Sequence, residues 1–354
     1  MSKHVYVGLS GGVDSSVTAA IMLEQGYQVT GVYMKNWSKD LPGFECPWKE
    51  DYEDAMRVAV QLGIPFKMYD FEEEYRSRVV DYMIDGYQQG LTPNPDIMCN
   101  QEIKFKLFLD TALADGADMI ATGHYARVLH DENGASLHMA NDARKDQTYF
   151  LYRVQEDALA KTLMPIGDFA TKQAVRDKAE ALGLATSKKK DSQGICFVGK
   201  VGIKEFLLHE LGEQPNGVVR DQNGVRVGEH DGAIFYTIGQ RQGLGIGGGL
   251  PYYVTGKNMD KNEVYVTTNI QDDKLWTETI NLTALHWIQE PPEESKTYMM
   301  RSRHGAALLP ATIELGGTNG QIRLKLDNAV RANTPGQSVV LYDGDLVIGG
   351  GIVV

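Results

Sequence analysis

Hydrophobic and polar positions follow two alternating patterns between residues 5 and 122. Short apolar runs, typical of buried strands, lie at 5–9, 29–34, 66–71 and 118–122. Between these runs, apolar residues recur at helical spacing over 17–25, 51–62, 72–87 and 104–114. Strands that alternate with helices pair in parallel through right-handed crossovers, so the pattern predicts an α/β fold with a doubly wound parallel sheet.

The pattern changes in the second half of the chain. Helical spacing covers 171–182 and 203–211, and short alternating strands then follow, separated by turn pairs such as Asn223-Gly224 and Asp343-Gly344. We therefore predict three domains. They are an α/β catalytic domain at 1–205, a small mixed, β-rich central domain at 206–275 and a C-terminal antiparallel β-barrel at 276–354.

Composition changes this picture only slightly. The chain has 354 residues, 42% of them apolar, and a net charge of -12. No apolar run approaches the ~20 residues that span a bilayer, and the N-terminus lacks the pattern of a signal peptide, so we expect a cytoplasmic protein without a membrane partner. The acidic charge argues weakly against a nucleic-acid partner unless basic residues cluster, as they do at 188–190 and at Arg301 with Arg303.

The first apolar run leads directly into Ser10-Gly11-Gly12-Val13-Asp14-Ser15-Ser16. Glycines at a strand-to-helix turn let several backbone N–H groups face a ligand, and the following helix adds its positive N-terminus. The segment lacks the Gly-Lys-Ser/Thr of a Walker loop and the spacing of a dinucleotide fingerprint. It resembles the pyrophosphate-binding loop of the N-type ATP pyrophosphatases. This resemblance implies cleavage of ATP between its α and β phosphates, with Asp14 helping to organise Mg²⁺.

Two of the three cysteines lie in unusual settings. Two prolines in the segment 91–100 predict an extended path that ends at Cys99, in a polar loop rather than in the core. Three lysines at 188–190 precede Cys196 and would favour its thiolate, the nucleophilic form. Cys46 has no comparable setting. Three thiols without histidine at a suitable spacing do not make a zinc site, so we expect no metal centre in the protein itself.

Seven motifs follow one another in the order found in the bacterial tRNA-specific 2-thiouridylases, which this chain resembles over nearly its whole length. They are SGGVDSS, NPDIMCN, ATGHYAR, KDQTYFLY, DSQGICFVG, YTIGQRQGLG and TPGQS. The resemblance implies ATP-dependent replacement of the C2 oxygen of the wobble uridine by sulfur, in the tRNAs for lysine, glutamate and glutamine. It also implies tRNA as a partner and a sulfur donor, either a cysteine desulfurase or a sulfur-relay protein.

The resemblance also implies roles for matching residues. Cys99 corresponds to the catalytic nucleophile, Cys196 to the persulfide carrier, and the two would form a transient disulfide. Asp96, three residues before Cys99, is a hypothetical acid or base. The positions expected to contact ATP are Gly8, Leu9, Ser10, Gly11, Gly12, Val13, Asp14, Ser15, Met34 and Gly123. The positions expected to contact tRNA are Asn94, Pro95, Asp96, His124, Lys145, Asp146, Gln147, Arg301, Arg303 and Gln337. The family pattern near Arg301 is closer to Arg-Tyr-Arg than to the Arg-Ser-Arg found here.

Two other functions remain open on the sequence alone. One is a different ATP pyrophosphatase, such as an amidotransferase-type or argininosuccinate synthetase, which would need no cysteine pair in this domain. The other is a non-catalytic RNA-binding protein that retains the fold and would bind RNA without releasing AMP.

Overall fold

The computed structural model describes residues 2–43, 45–132, 134–190, 202–246, 251–315, 320–331 and 334–354. Within these ranges the strands are β1 His4–Gly8, β2 Gln28–Lys35, β3 Phe66–Asp70, β4 Met119–Ala121, β5 Ala126–Asp131, β6 Gly134–Met139, β7 Thr162–Leu163, β8 Gly217–Arg220, β9 Arg226–His230, β10 Tyr253–Asn258, β11 Glu263–Thr267, β12 Trp276–Trp287, β13 Thr297–Arg301, β14 Leu309–Leu315, β15 Ile322–Arg331, β16 Ser338–Asp343 and β17 Leu346–Val353. The helices are α1 Val13–Glu24, α2 Trp48–Leu62, α3 Glu72–Tyr75, α4 Asp81–Gln88, α5 Pro95–Met98, α6 Phe108–Ala114, α7 Glu156–Leu159, α8 Lys172–Ala181 and α9 Ile203–Leu211. Among the described residues, no helix is both long and apolar enough to cross a membrane.

A five-stranded parallel sheet forms the N-terminal half, in the order β3-β2-β1-β4-β7. This confirms the predicted doubly wound α/β fold. The chain runs outward from β1 to β3 and returns to β4 on the other side of β1, so the strand order reverses between β1 and β4. Ligands of open α/β sheets bind where the order reverses, at the carboxyl ends of the strands. The segments after Gly8 and Ala121 both begin at this edge.

The C-terminal half also agrees with the predicted fold class. Strands β10, β11, β8 and β9 form a mixed four-stranded sheet, in which β11 and β8 are parallel. Strands β12, β15, β14, β13, β16 and β17 form an antiparallel sheet that closes into a six-stranded barrel through the β12–β17 pairing. Closure removes the exposed edges of this sheet. The exact domain boundaries stay a prediction.

One hairpin crosses the expected division between the domains. Strands β5 and β6 pair with each other and extend the barrel sheet through β17, where His138 lies opposite Leu346. This hairpin is absent from the predicted elements, although Asn133-Gly134 is the same type of turn pair as Asn223-Gly224. The N-terminal half therefore contributes two strands to the C-terminal sheet.

The extended path predicted for 91–100 is wrong beyond Asn94. Helix α5 begins at Pro95 and continues through a π-helical segment, Cys99–Leu107, into α6. Proline is favoured at the first position of a helix because its missing N–H has no intrahelical partner there. The Asn94 side chain caps this helix by accepting hydrogen bonds from the backbone N–H groups of Asp96 and Ile97, at 3.0 and 3.4 Å. The second proline thus starts a helix instead of preventing one.

Candidate functional site

The loop between β1 and α1 has the geometry of an anion-binding turn. Gly11 has a φ of +72°, and a Cβ there would lie 2.4 Å from the carbonyl oxygen of Asp51. The Ser15 hydroxyl lies 3.3 Å from the Ser10 hydroxyl and accepts a hydrogen bond from the Ser10 backbone N–H. Only glycine fits at position 11, and the two hydroxyls converge at the N-terminus of α1.

The segment after β4 packs directly against this loop. A Cβ on Gly123 would lie 2.7 Å from the backbone nitrogen of Ser15, so glycine is required for this close approach. On the other side, a Cβ on Gly8 would lie 3.1 Å from Cε of Met34. The structure thus brings the strand ends at Gly8, Met34 and Gly123 together around one loop, as sequence analysis expected for ATP contacts. Contact with ATP itself stays a prediction.

Asp14 is held by two partners that sequence analysis missed. Its Oδ1 accepts a hydrogen bond from the Tyr125 hydroxyl at 2.9 Å. Lys172 Nζ, on the first residue of α8, lies 2.6 Å from Oδ1 and 2.7 Å from Oδ2. Nothing in the local sequence around Lys172 distinguishes it from any other lysine at a helix start. Among the described residues, no group of three or more His, Cys, Asp or Glu could hold a metal ion, and Asp14 is the carboxylate on this loop.

Cys99 is buried, with 4% of its surface exposed, and it packs in the main hydrophobic core at the start of the π-helical segment. The expectation that it lies in a polar loop away from the core is therefore wrong, for the same reason that the extended path is wrong. Cys196 lies outside the described residues. Its role as the persulfide carrier and its transient disulfide with Cys99 stay predictions.

Asp96 lies one helical turn before Cys99. Burial raises the pKa of its carboxyl, while the positive charges of Lys104 and His304 oppose this shift. A carboxyl whose pKa is raised by burial is better suited to hold and release a proton near neutral pH than an exposed one. His304 reaches this region from the barrel and stacks on Phe150, with ring centroids 4.6 Å apart.

A contact through His124 joins the Cys99 helix to the loop between β1 and α1, called the phosphate loop below for the anion that it is expected to bind. Lys104 Nζ lies 3.3 Å from Nε2 of His124, whose Nδ1 lies 2.8 Å from the Thr122 hydroxyl. Because an ammonium can only donate, Nε2 accepts and the proton sits on Nδ1. Burial, together with the Lys104 charge, lowers the pKa of His124 well below its usual range. His124 is therefore neutral and fixed in one tautomer, next to Gly123.

The structure separates the expected tRNA contacts into two groups. Arg303 is exposed, while Lys145, Gln147 and Gln337 are half-buried, and Gln147 accepts a hydrogen bond from the backbone N–H of Tyr125. Asp146 and Arg301 instead form a buried ion pair at 2.7 Å, with 0% and 7% of their side chains exposed. In this arrangement neither charge faces solvent, which disagrees with the expectation that both meet tRNA directly.

One of the three lysines at 188–190 is likewise paired with carboxylates of the protein itself. Lys189 Nζ lies 2.8 Å from Asp51 and 2.6 Å from Asp54, both on α2. Its charge is therefore neutralised by carboxylates, while Lys188 and Lys190 are exposed. Spacing in the sequence could not show this, because the partners lie about 135 positions away.

The loop before Cys99 is held from two directions. The backbone N–H of Thr92 donates to the Pro335 carbonyl at 2.9 Å, and a Cβ on Gly336 would lie 2.8 Å from the same nitrogen. The Thr92 hydroxyl lies 3.3 Å from that of Thr237, in the central part of the chain. The TPGQ segment that contains Gln337 therefore packs against the segment that leads into α5.

The parallel sheet, with its glycine loop at the point of strand reversal, defines a nucleotide-binding protein of the HUP class. A family model described as the tRNA methyl transferase HUP domain matches residues 3–200, more than half of the chain. Two further models match: the tRNA methyl transferase PRC-barrel domain at 204–268 and the aminomethyltransferase beta-barrel domain at 277–353.

Curated relatives then identify the family. The tRNA-specific 2-thiouridylase MnmA of Lacticaseibacillus paracasei is 48% identical over 99% of this chain and 94% of its own length. The protein of the same name from Enterococcus faecalis is 45% identical over 99% of this chain and 95% of its own length. The chain belongs to the tRNA-specific 2-thiouridylase family. Among solved structures, a 4-thiouridine synthetase–RNA complex with bound ATP is 19% identical with a TM-score of 0.38, covering 59% of this chain and 50% of that chain.

Proposed function

We propose that this protein catalyses the ATP-dependent 2-thiolation of the wobble uridine in the tRNAs for lysine, glutamate and glutamine, releasing AMP and pyrophosphate. The observation that carries the proposal is the connection between its two candidate centres. The Cys99 helix reaches the phosphate loop through Lys104, His124 and Gly123. A nucleotide and a nucleophile are thereby supported by one continuous set of contacts.

The loop residues fit the phosphates of ATP. Positions 11 and 123 admit no Cβ, so the loop stays compact at the N-terminus of α1, and the Ser10 hydroxyl is a further donor, while the Ser15 hydroxyl donates to the Gly12 carbonyl at 3.1 Å. ATP supplies the adenylate that turns the C2 oxygen of uridine into a good leaving group. Asp14 is the loop carboxylate that would help to position Mg²⁺ with the phosphates. We place the adenine and ribose between Met34 and Gly123.

The sulfur step is assigned to the two cysteines. A persulfide on Cys196 would deliver the sulfur, supplied by a cysteine desulfurase or a relay protein, and Cys99 would act as the nucleophile. In one route, Cys99 attacks the inner sulfur of the persulfide, a disulfide forms, and the sulfide that leaves with the electron pair attacks C2 of the adenylated uridine and displaces AMP. In the other, the terminal persulfide sulfur attacks C2 of the adenylated uridine and AMP leaves with the C2 oxygen. Cys99 then attacks Sγ of Cys196, so that the disulfide forms and the thiolated uridine leaves with the electron pair. Asp96 would exchange protons with the thiol or the base.

The tRNA surface that we propose centres on the segment before Cys99. Asn94, Pro95 and Asp96 would contact the extruded uridine, since a single-stranded loop releases a base at the lowest cost. Lys145, Gln147, Arg303 and Gln337 would contact the anticodon arm, whereas His124, which is buried between Lys104 and Thr122 against the expectation of a direct contact, would only support this surface. Asp146 and Arg301 are buried in their ion pair, and we propose that they act indirectly by holding this surface.

A single-turnover assay tests the proposal. Unmodified glutamate tRNA, ATP, Mg²⁺ and a cysteine desulfurase with cysteine are incubated with the protein, and 2-thiouridine is measured by nucleoside mass spectrometry. We expect 2-thiouridine with the wild type and none with Cys99→Ser or Cys196→Ser, whereas Cys46→Ser should retain the activity. AMP release that persists with another acceptor in the double variant Cys99→Ser/Cys196→Ser would indicate a different ATP pyrophosphatase. RNA binding without AMP release by the wild type would indicate a non-catalytic protein.

A further inference from the structure

Lys172 lies beside the phosphate loop but belongs to none of the motifs that define the site. Its ammonium contacts both carboxylate oxygens of Asp14, at 2.6 and 2.7 Å, across 158 positions of sequence. It also lies 5.4 Å from the ring centroid of Tyr125, whose hydroxyl donates to the same carboxylate. The Lys172 side chain is only 13% exposed. The ammonium is therefore held at the mouth of the loop by two groups of the site itself.

Lys172 also forms part of the wall of a cavity of about 410 Å³. The lining residues are Asp142, Arg144, Lys145, Thr171, Lys172 and Gln173. Asp142 is buried, and its carboxylate accepts hydrogen bonds from the backbone N–H groups of Arg144 and Lys172 at 3.2 and 3.0 Å. The same carboxylate also pairs with Arg144, whose Nε lies 3.6 Å from Oδ1, so the lining carries three cationic side chains against one carboxylate. A volume of this size is in the range of small-ligand sites, and its charge suits a polyphosphate.

A second ion pair joins α8 to α1 away from the loop, and it provides a structural comparison for the pair between Lys172 and Asp14. Lys178 on α8 bonds Glu24 at the other end of α1, at 2.7 Å, and both side chains are more exposed than those of the Lys172 pair. This pair, together with the hydrogen bond from the Thr186 hydroxyl to the Ser16 hydroxyl, already fixes α8 and the segment after it against α1. Joining α8 to α1 therefore does not require a lysine in contact with the phosphate loop.

We propose that Lys172 is a ligand of the β and γ phosphates of ATP, held against Asp14 in the absence of nucleotide and transferred to the phosphates when they bind. The proposal rests on the proposed function, because it assigns a role within ATP cleavage. Asp14 alone would repel a polyphosphate, and the paired ammonium removes that repulsion. Bound phosphates then offer the ammonium more negative charge than a single carboxylate does.

The role in the reaction follows from where charge develops. The C2 oxygen of uridine forms a bond to the α phosphorus, the bond from that phosphorus to the bridging oxygen breaks, and pyrophosphate leaves with the electron pair. Lys172 stays protonated throughout and stabilises the charge that builds up on the departing pyrophosphate. Catalysis then requires a cation at this position, and a neutral side chain of similar length does not replace it.

Binding of inorganic pyrophosphate with Mg²⁺, measured by titration calorimetry, tests the proposal directly. The variants are Lys172→Met and, as the matched control on the same helix, Lys178→Met. We expect Lys172→Met to weaken pyrophosphate binding at least about tenfold, the effect of removing a hydrogen bond to a charged group, and Lys178→Met to change it less than twofold. The KM for ATP in single-turnover AMP formation should rise in parallel. Lys172→Arg should recover part of both losses.

Equal pyrophosphate affinities and equal KM values for Lys172→Met and Lys178→Met would overturn the proposal. So would a wild-type protein that binds no pyrophosphate. If Lys172→Met does not fold, Lys172→Gln retains a hydrogen-bond donor toward Asp14 and removes only the charge, and the same two readouts apply. Calorimetry needs no tRNA, so a wild type that binds pyrophosphate but makes no 2-thiouridine would refute the proposed function without refuting the role of Lys172.

Discussion

The buried ion pair between Arg301 and Asp146 gives the most direct test of the structure. The pair joins β13 of the barrel to the segment after β6, and both side chains are almost fully excluded from solvent. Asp146 also accepts hydrogen bonds from the Ala140 backbone N–H at 3.0 Å and the Thr148 hydroxyl at 2.7 Å. Arg301 Nε is buried without a hydrogen-bond partner among the described residues. Each charge therefore depends on the other.

Removing one partner of this pair should lower the free energy of unfolding substantially. Breaking a buried ion pair leaves an uncompensated charge and typically costs about 3–5 kcal/mol. The loss of stability in Asp146→Asn should lie at the upper end of this range, because Arg301 is left without its carboxylate while its Nε already lacks a partner among the described residues. The loss in Arg301→Met should lie at the lower end of the range, since Asp146 keeps two other hydrogen-bond donors.

A double-mutant cycle measured by urea denaturation provides the assay. The free energy of unfolding is compared for the wild type, Asp146→Asn, Arg301→Met and the double variant. We expect the double variant to lose at least about 2 kcal/mol less than the sum of the single losses, because the two side chains interact directly. As a control, Arg226→Met removes an exposed pair with Glu229 and should cost less than about 1 kcal/mol.

Additive losses, or single losses no larger than that of Arg226→Met, would refute the reasoning. That outcome would mean that the pair is solvated in solution and that both charges are available to tRNA, as the sequence first suggested. A tRNA affinity that falls in Arg301→Met without any change in stability would point to the same conclusion.

Three further predictions follow from particular contacts. Gly11→Ala should abolish ATP binding in calorimetry, because its Cβ would lie 2.4 Å from a carbonyl oxygen, whereas Gly26→Ala has no neighbour within 4 Å and should cost only the left-handed strain of about 1–2 kcal/mol. Gly336→Ala should speed hydrogen exchange at the Thr92 amide by disturbing the barrel contact, whereas Gly344→Ala, in an open turn, should not. Asp96→Asn should raise the free energy of unfolding at pH 7 while abolishing thiolation.

The sign of the Asp96 effect follows from its raised pKa. A carboxyl whose folded pKa lies above its unfolded value lowers stability as the pH rises above the unfolded value, and this loss is complete above the folded pKa, because burial penalises the charged form. The gain from asparagine should therefore be present at pH 7 and should shrink as the pH falls toward 3.8, the ordinary value for aspartate. A gain that is independent of pH, or a loss of stability at pH 7, would contradict this account. The glycine predictions would be contradicted if Gly11→Ala bound ATP as well as Gly26→Ala does, or if Gly336→Ala and Gly344→Ala had the same effect on hydrogen exchange at Thr92.

The amino-acid sequence is sufficient to predict the fold class and the glycine turn between β1 and α1. Alternating apolar runs and helical spacing specify parallel strands, and two adjacent glycines beside Asp14 specify a turn at a strand end. These features are local, because hydrophobic period and backbone freedom depend on a few neighbouring residues. The order of strands then placed Gly123 at the same edge, as expected for a doubly wound sheet.

Which side chains meet depends on how distant elements pack. The helix start at Asn94 and Pro95 is a local signal that the prediction of an extended path overlooked, whereas the burial of Cys99 in the core depends on packing against the rest of the domain. Arg301 and Lys172 look like surface cations in the sequence, yet each is paired with a carboxylate more than 150 positions away. Such pairings depend on how whole elements pack, since the burial of a charge and the identity of its partner are set by contacts between distant segments.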